Sequence, residues 1–498
     1  MFRTPNAKKT LFAAAAAAAL AGAAGSALAI TPFQTDVGTA INNGLAWQAA
    51  NGAYNAGSTD AAGIALEALL EKRSSGNPAD PPQGYSGANA ADQATMRASV
   101  LSIINSTSGQ GMGFYAYRDG SRLFALASYA LTGGVDKTTL GSAMTLKQAM
   151  DRLTDRTIAQ QSLPANYYQG MWSYNTPGSD SSTTQFAAAG LYAAKSFYSS
   201  LKSTADSGPF ADAARLTAVN NALALVSAHY KTGGSAGSDN PGCNVLSPTE
   251  RGHGYHPQQA GYNPSLQQTA SGIYIQLFGG ADVNDPGVQS YIEWTRNRYR
   301  WQDLDSMGNS WPGYSWSYYL WSSFKAMELI RQSGITPNAG NIGPNDLGTL
   351  PAASAPACAV RQTNKNPATT VPAALFGGAA GKYAAEVPGQ YFDYASQLLN
   401  LQCANGSFTC NGSPGYWDTV AHNAYALLVL QRATGVIVQR CDVNGVGKID
   451  RTDIAAIRAA VGTRVGANDV RDADGDGLIT VTDVRQCTLR CTNANCAP

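Results

Sequence analysis

The chain has 498 residues, enough for two or three domains with a full apolar core. Its 34 Lys plus Arg against 33 Asp plus Glu leave a formal charge of +1, and only 13% of residues are charged. That balance lacks the basic stripe of a nucleic-acid binder, and 44% hydrophobic residues argue against general disorder.

Residues 1–29 read as an export signal. Arg3, Lys8 and Lys9 form a positive start, Leu11 to Gly25 is an Ala-rich apolar run, and Ser26-Ala27-Leu28-Ala29 has a small-x-small cleavage pattern. Cleavage there removes three basic residues and no acid, leaving 31 basic against 33 acidic residues, or −2. No other stretch reaches the ~20 apolar residues of a membrane span. The expected mature protein is soluble and secreted: extracellular, periplasmic or at the cell surface.

From Thr35 to about Gly435 two kinds of helical segment alternate. Amphipathic segments cover Ala40 to Asn51, Ala91 to Asn105, Leu146 to Gln161, Ala211 to Tyr230, Val288 to Trp301 and Gln390 to Gln402. More uniformly apolar, small-residue segments cover Asp60 to Lys72, Ser121 to Leu131, Ser182 to Tyr198, Leu266 to Phe278, Tyr318 to Gln332 and Thr419 to Arg432. Apolar spacings of three and four, as at Ile64, Leu66, Leu69 and Leu70, support helices in both sets. Six such pairs suggest an α/α repeat closed into a ring, with the apolar helices inside. The expected ring domain is 30–438, with Gly- and Pro-rich insertions at 231–264 and 334–387, and 439–498 form a separate module.

All eight cysteines lie from Cys243 onward, with no C-x-x-C spacing that would favour metal ligation. Eight allow 105 pairings. Short loops suggest Cys403–Cys410 and Cys491–Cys496, leaving Cys441–Cys487 and Cys243–Cys358.

The helix pairs share a join. Gln48-Ala-Ala-Asn51-Gly52-Ala-Tyr54 recurs as Gln402-Cys-Ala-Asn405-Gly406-Ser407-Phe408, with weaker versions at Gly113-Phe-Tyr115, Gly170-Met-Trp172-Ser-Tyr174 and Gly252-His253-Gly254-Tyr255. Gly ends one helix and the aromatic packs against the next. These joins, and Trp172-Ser-Tyr174-Asn175 through Asp180-Ser-Ser-Thr-Thr184-Gln185-Phe186-Ala187, resemble the repeats of the squalene-cyclase and prenyltransferase superfamily. The resemblance covers about 400 residues and implies an all-α fold, an α6/α6 toroid whose ligand cavity lies toward the N-terminal ends of its inner helices. The superfamily's chemistry does not follow. Asp303-Leu-Asp305-Ser306-Met307 departs from the Asp-x-Asp-Asp-Thr-Ala of terpene cyclases, and the ring has no Asp-x-Cys zinc pair.

After Gly435 two calcium-loop patterns appear. Asp472, Asp474, Asp476, Leu478, Thr480 and Asp483 occupy ligand positions 1, 3, 5, 7, 9 and 12 around Gly477, the oxygen-rich wrap that hard Ca²⁺ requires. Asp442, Asn444, Val446, Lys448, Asp450 and Asp453 repeat the pattern, but Val446 at position 5 offers only its carbonyl, so this site should be weaker. The pair resembles a type I dockerin. That family holds two Ca²⁺ and docks cohesin domains, which implies a cohesin-like or cell-surface partner. Arg451-Thr452 and Val481-Thr482 depart from the Ser-Thr-like pairs usual at positions 10 and 11.

For the ring, Asp418 and His422 stand four apart on one helix and could form an acid–base pair, against the plainer reading of a capping Asp and a hydrogen-bonded His. Trp172, Tyr174, Tyr255, Trp311, Trp316 and Trp417 are candidate ligand-binding aromatics, able to stack on sugar rings or hold a hydrophobic small ligand. The cluster of tryptophans between Trp294 and Trp321 reads first as core packing of the fifth helix pair, with a ligand-stacking wall as the alternative. Asp60, Asp119, Asp180, Asp303, Asp305 and Asp418 stand near inner-helix starts, where glycoside chemistry would need paired acids. The sequence therefore points to an exported calcium-binding protein whose toroid binds a ligand and whose tail mediates attachment. The alternative is a secreted enzyme on the same scaffold, a polysaccharide hydrolase or lyase or a divergent isoprenoid cyclase.

Overall fold

A computed structural model describes residues 30–73, 82–109, 112–165, 168–200, 202–231, 249–256, 264–299, 316–332, 337, 342, 364–409, 418–435, 440–443, 449–465, 469–473, 478–489, 491 and 494–497. The export signal expected at 1–29 and most of both expected insertions lie outside these residues. The protein is mostly helical, and its one sheet among the described residues is a two-stranded hairpin of Ser203–Thr204 with Gly208–Pro209.

Apart from one short helical turn at Lys137–Leu140, the described α-helices of the larger part follow one another as α1 (Pro32–Ala50), α2 (Ala62–Leu70), α3 (Ala90–Ser108), α4 (Ala116–Leu131), α5 (Leu146–Ala159), α6 (Ser181–Ser199), α7 (Ala213–Lys231), α8 (Leu266–Phe278), α9 (Pro286–Arg298), α10 (Trp316–Gln332), α11 (Gln390–Leu401) and α12 (Thr419–Leu430). Side chains on their caps fix several starts. Thr31 and Thr145 form capping boxes with Gln34 and Gln148, and Asn89, Asp180, Ser265, Asp285 and Asp418 accept from backbone N–H groups of the first turn.

The two classes of segment differ in burial as their composition requires. The even-numbered helices are buried almost all round, whereas the odd-numbered ones keep an exposed polar face. α2 packs on α4, α4 on α6, α6 on α8, α8 on α10, α10 on α12, and α12 returns to α2. The odd-numbered helices pack against this closed series from their sequence neighbours' positions. Its interior is filled by aromatic rings: Phe186 lies within 6.4 Å of Tyr117, Phe124, Tyr318, Trp321 and Tyr425, ring centre to ring centre.

The recurring joins have a recurring structure. Gln402 Nε2 donates to Gly406 O at 3.2 Å and to Ala40 O on α1 at 2.8 Å. Gln161 Nε2 does the same at 2.9 Å to Gly170 O and 2.9 Å to Ala222 O on α7. Both glycines have left-handed backbone, with φ of +89° at Gly406 and +87° at Gly170. A Cβ on Gly406 would stand 2.4 Å from Asn43 O. Gly406→Ala should therefore destabilise the protein by about 2 kcal/mol, read as a lower denaturant midpoint at unchanged slope.

The C-terminal residues build a second, small core around Cys441, Ile449, Ile454, Ile457, Ala473, Ile479 and Cys487. Its helices are α13 (Arg451–Ala459) and α14 (Val481–Leu489), which pack together. Cys441–Cys487 and Cys491–Cys496 are disulfides, the pairings expected for these four. Cys243, Cys358 and Cys410, on which the other two expected pairings depend, lie outside the described residues.

Candidate functional site

The N-terminal ends of α2, α4, α6 and α12 gather tyrosines and carboxylates into one cleft. The joins place the tyrosines through their backbones. Ala116 N donates to Tyr174 O at 2.8 Å, fixing the third join against α4. Ser181 N donates to Tyr255 O at 3.0 Å and Ser181 Oγ to Gly254 O at 3.1 Å, fixing the fourth against α6. Tyr174 and Tyr255 then share a hydroxyl–hydroxyl bond of 2.6 Å. Tyr115 stacks on Tyr174 at 6.4 Å with their planes 20° apart, and Tyr117 meets Tyr174 edge-on at 5.8 Å. Tyr174 is 41% exposed, so part of this aromatic group stays accessible to solvent.

Three carboxylates border these rings. Asp418 caps α12, accepting from Ala421 N at 2.6 Å, and its other oxygen accepts from Thr59 Oγ at 2.8 Å. Asp60, next to Thr59, is exposed. Burial, then the charges of Asp60, Tyr174 and Asp418, push the Tyr115 phenol up to about 12. Asp180 is fully buried: its Oδ1 accepts from Ser182 N at 2.8 Å, Ser182 Oγ at 2.5 Å and Thr183 N at 3.0 Å. Burial and then the Asp180 charge raise the pKa of both Tyr174 and Tyr255. The phenols therefore stay protonated at neutral pH and donate, while the carboxylates accept. Aromatic faces beside such donors and acceptors suit a polyhydroxylated ligand.

The candidate residues from sequence divide by burial. Tyr174 and Tyr255 belong to this cleft, and so does Asp418. His422 does not pair with Asp418: its ring is buried, meets Trp316 edge-on at 4.4 Å, and shares a 2.9 Å bond between Nδ1 and Ser317 Oγ. Burial pushes its pKa down to about 3. Trp172 is also buried, with Nε1 donating to Thr157 O at 2.8 Å, and Trp316 is covered by packing. Trp311, Trp417, Asp303 and Asp305 lie outside the described residues. His253, beside Tyr255 in the sequence, is buried under Tyr230 at 4.6 Å, and burial pushes its pKa down to about 3.

Tyr115, Tyr117 and Arg118 join the cleft without having been singled out as ligand-binding residues. Their signal was the Tyr115-Ala-Tyr117-Arg118 run that opens a buried helix directly after the Gly113 join.

In the tail, Asp442, Asp453, Asp472 and Asp483 are buried carboxylates. Asp483 reaches back along its loop, accepting from Ala473 N at 2.6 Å and from Thr480 N at 2.6 Å and Oγ at 2.9 Å. This brings loop position 12 beside positions 1 and 2. In the other loop Asp453 accepts from Asp450 N at 2.9 Å. Among the described residues, Lys202 faces the position-1 carboxylate of Asp442 and Arg440 that of Asp472, both at 3.5 Å. Leu478 pairs with Arg464 in an antiparallel bridge. Among the described residues no three His, Cys, Asp or Glu side chains converge in metal-holding geometry. Asp474, Asp476, Asn444, Val446 and Lys448 lie outside them. The donors that are described, buried hard oxygens closed into a loop, fit Ca²⁺ by their chemistry.

No described helix is long and apolar enough to cross a membrane. No family model, curated protein or solved structure matches the chain.

Proposed function

We propose that the protein is an exported saccharide-binding protein: an α6/α6 toroid that holds its ligand at the N-terminal ends of the inner helices, with a dockerin-like calcium module as its attachment point. The observation that carries the reading is the part-exposed Tyr174 ring, braced by Tyr115 and Tyr255 and bordered by the exposed Asp60 and Asp418. Phenols that donate and carboxylates that accept match sugar hydroxyls, and the exposed ring matches the apolar face of a pyranose. The closed contact series of even-numbered helices supports the toroid, as does the repeated Gln–Gly join.

In the tail, Asp442, Asn444, Val446, Lys448, Asp450 and Asp453 would hold the weaker ion, and Asp472, Asp474, Asp476, Leu478, Thr480 and Asp483 the stronger one. Bound Ca²⁺ supplies charge neutralisation and loop rigidity, and a cohesin-like or cell-surface partner would read the resulting helix pair. The two disulfides support an oxidising compartment.

A second reading rests on Asp60 and Asp418, whose charges both act on the Tyr115 phenol. Two carboxylates bordering one sugar site are the minimum for glycoside hydrolysis. Calorimetric titration with a panel of oligosaccharides tests binding, and assay of new reducing ends tests hydrolysis. Binding without turnover supports the first reading; turnover lost in Asp418→Asn moves the assignment to the second. Failure of every saccharide to bind removes both.

A further inference from the structure

We infer that the arginines at the start of α4 form an anion subsite of the tyrosine cleft, and that the ligand is an acidic saccharide bearing carboxylate or sulfate groups. This rests on the saccharide reading above.

Arg118, Arg122 and Arg156 surround a single buried carboxylate, Asp119. Arg118 Nε stands 3.0 Å and Arg156 Nε 2.8 Å from its oxygens. Three guanidiniums near this one carboxylate leave excess positive charge, which among the described residues the exposed Asp60, 3.7 Å from Arg118, reduces further. Arg122 is the informative member. It is fully buried, its Nη1 reaches the Met112 thioether at 3.5 Å, and its Nε and Nη2 have no acceptor among the described residues. Burial, then the Arg118 charge, push its pKa down to about 10.

A buried guanidinium with unspent donors is costly, and a thioether is a weak acceptor. The neighbouring arginines spend donors on the backbone, Arg156 on Met112 O at 2.8 Å and Arg118 on Gly113 O, so they account for the loop before α4 without Arg122. An anion accepting from Arg122 and Arg118 satisfies what the fold leaves open, and carboxylate or sulfate matches the forked guanidinium geometry.

The cluster adjoins the cleft through Arg118, whose Cζ lies 6.0 Å from the centre of the Tyr115 ring. A saccharide lying on Tyr115 and Tyr174 thus carries an acidic substituent toward Arg118. A neutral saccharide leaves the arginines unmatched.

The test is calorimetric titration of the full chain with three probes of equal length: an oligogalacturonate, a sulfated galactan oligosaccharide and a neutral galacto-oligosaccharide. One acidic probe should bind at least about tenfold more tightly than the neutral one, with the preference shrinking as salt rises. The acidic probe that wins tells carboxylate from sulfate. Arg118→Gln and Arg122→Met should each abolish the preference, and Arg122→Met should leave neutral binding unchanged. Arg118→Gln keeps the test open if Arg122→Met fails to fold. Equal binding of acidic and neutral probes, or variants that retain the preference, overturns the subsite and leaves the cleft standing. Failure of all three probes to bind overturns the subsite together with the saccharide reading.

Discussion

Replacing Lys325 with methionine stabilises the protein at pH 7 by on the order of 4 kcal/mol, and the gain falls by about 1.4 kcal/mol per pH unit above that. Lys325 is on α10 and 1% exposed, and its Nζ lies 4.2 Å from the centres of both the Tyr274 and the Trp321 rings. Among the described residues no carboxylate pairs with it. Burial pushes its pKa from 10.5 down to about 7. Two desolvated cation–π contacts contribute about 2 kcal/mol each, less than the several kcal/mol of burying an unpaired ammonium. Methionine keeps the length and makes its own sulfur–aromatic contacts.

The sign of the pH effect follows from the protons. Between pH 7 and 10.5 the unfolded lysine is protonated and the folded one is not, so the wild type gains stability as pH rises. Below 7 both states hold the proton and its penalty is at its largest. Urea midpoints of both proteins at pH 7, 8 and 9 measure this. A gap that is absent, or that does not change with pH, contradicts it.

Chelating calcium should unfold the tail while the larger domain stays folded. The tail core is small, so beyond its two disulfides a bound metal would contribute a large share of its stability. Its buried Asp442, Asp453, Asp472 and Asp483 stand at loop positions 1 and 12, where bound Ca²⁺ would offset the cost of burying their charge. At a hundredfold excess of Ca²⁺ over its dissociation constant, binding contributes about 2.7 kcal/mol. With two separate cores the tail should melt as its own transition, shifting down in EDTA and back on adding Ca²⁺. Asp472→Ala should abolish that response. Identical melting in EDTA and Ca²⁺ sinks the calcium assignment.

Helix positions were largely legible in the sequence, because small-residue apolar runs and Gly–aromatic joins recur in step. The segment expected at Leu266 to Phe278 coincides with α8. The misses have local causes. α1 begins at Pro32, two turns before the expected Ala40, where the signal was the Thr31–Gln34 capping box. α4 begins at Ala116 rather than Ser121, because Tyr117-Arg-Asp-Gly120 resembles a loop in composition yet is helical and buried.

The site was harder to read for one physical reason. Charged residues in an amphipathic pattern mark the solvent face, but the even-numbered helices have almost no such face. Arg118, Arg122 and Lys325 therefore point into packed or functional space, although composition alone makes them look like surface residues. Among the described residues Trp172, Trp316 and Trp321 are packing groups, whereas Tyr174 is the exposed aromatic of the cleft.

The claim that the tyrosine cleft binds a saccharide is met most directly by comparing the affinity of the wild type and of Tyr174→Ala for the tightest-binding oligosaccharide of the panel. Stacking on one ring is worth about 1.5 kcal/mol, so the substitution should weaken binding roughly tenfold without lowering the melting temperature. Equal affinity in a folded variant would place the ligand elsewhere and contradict the account.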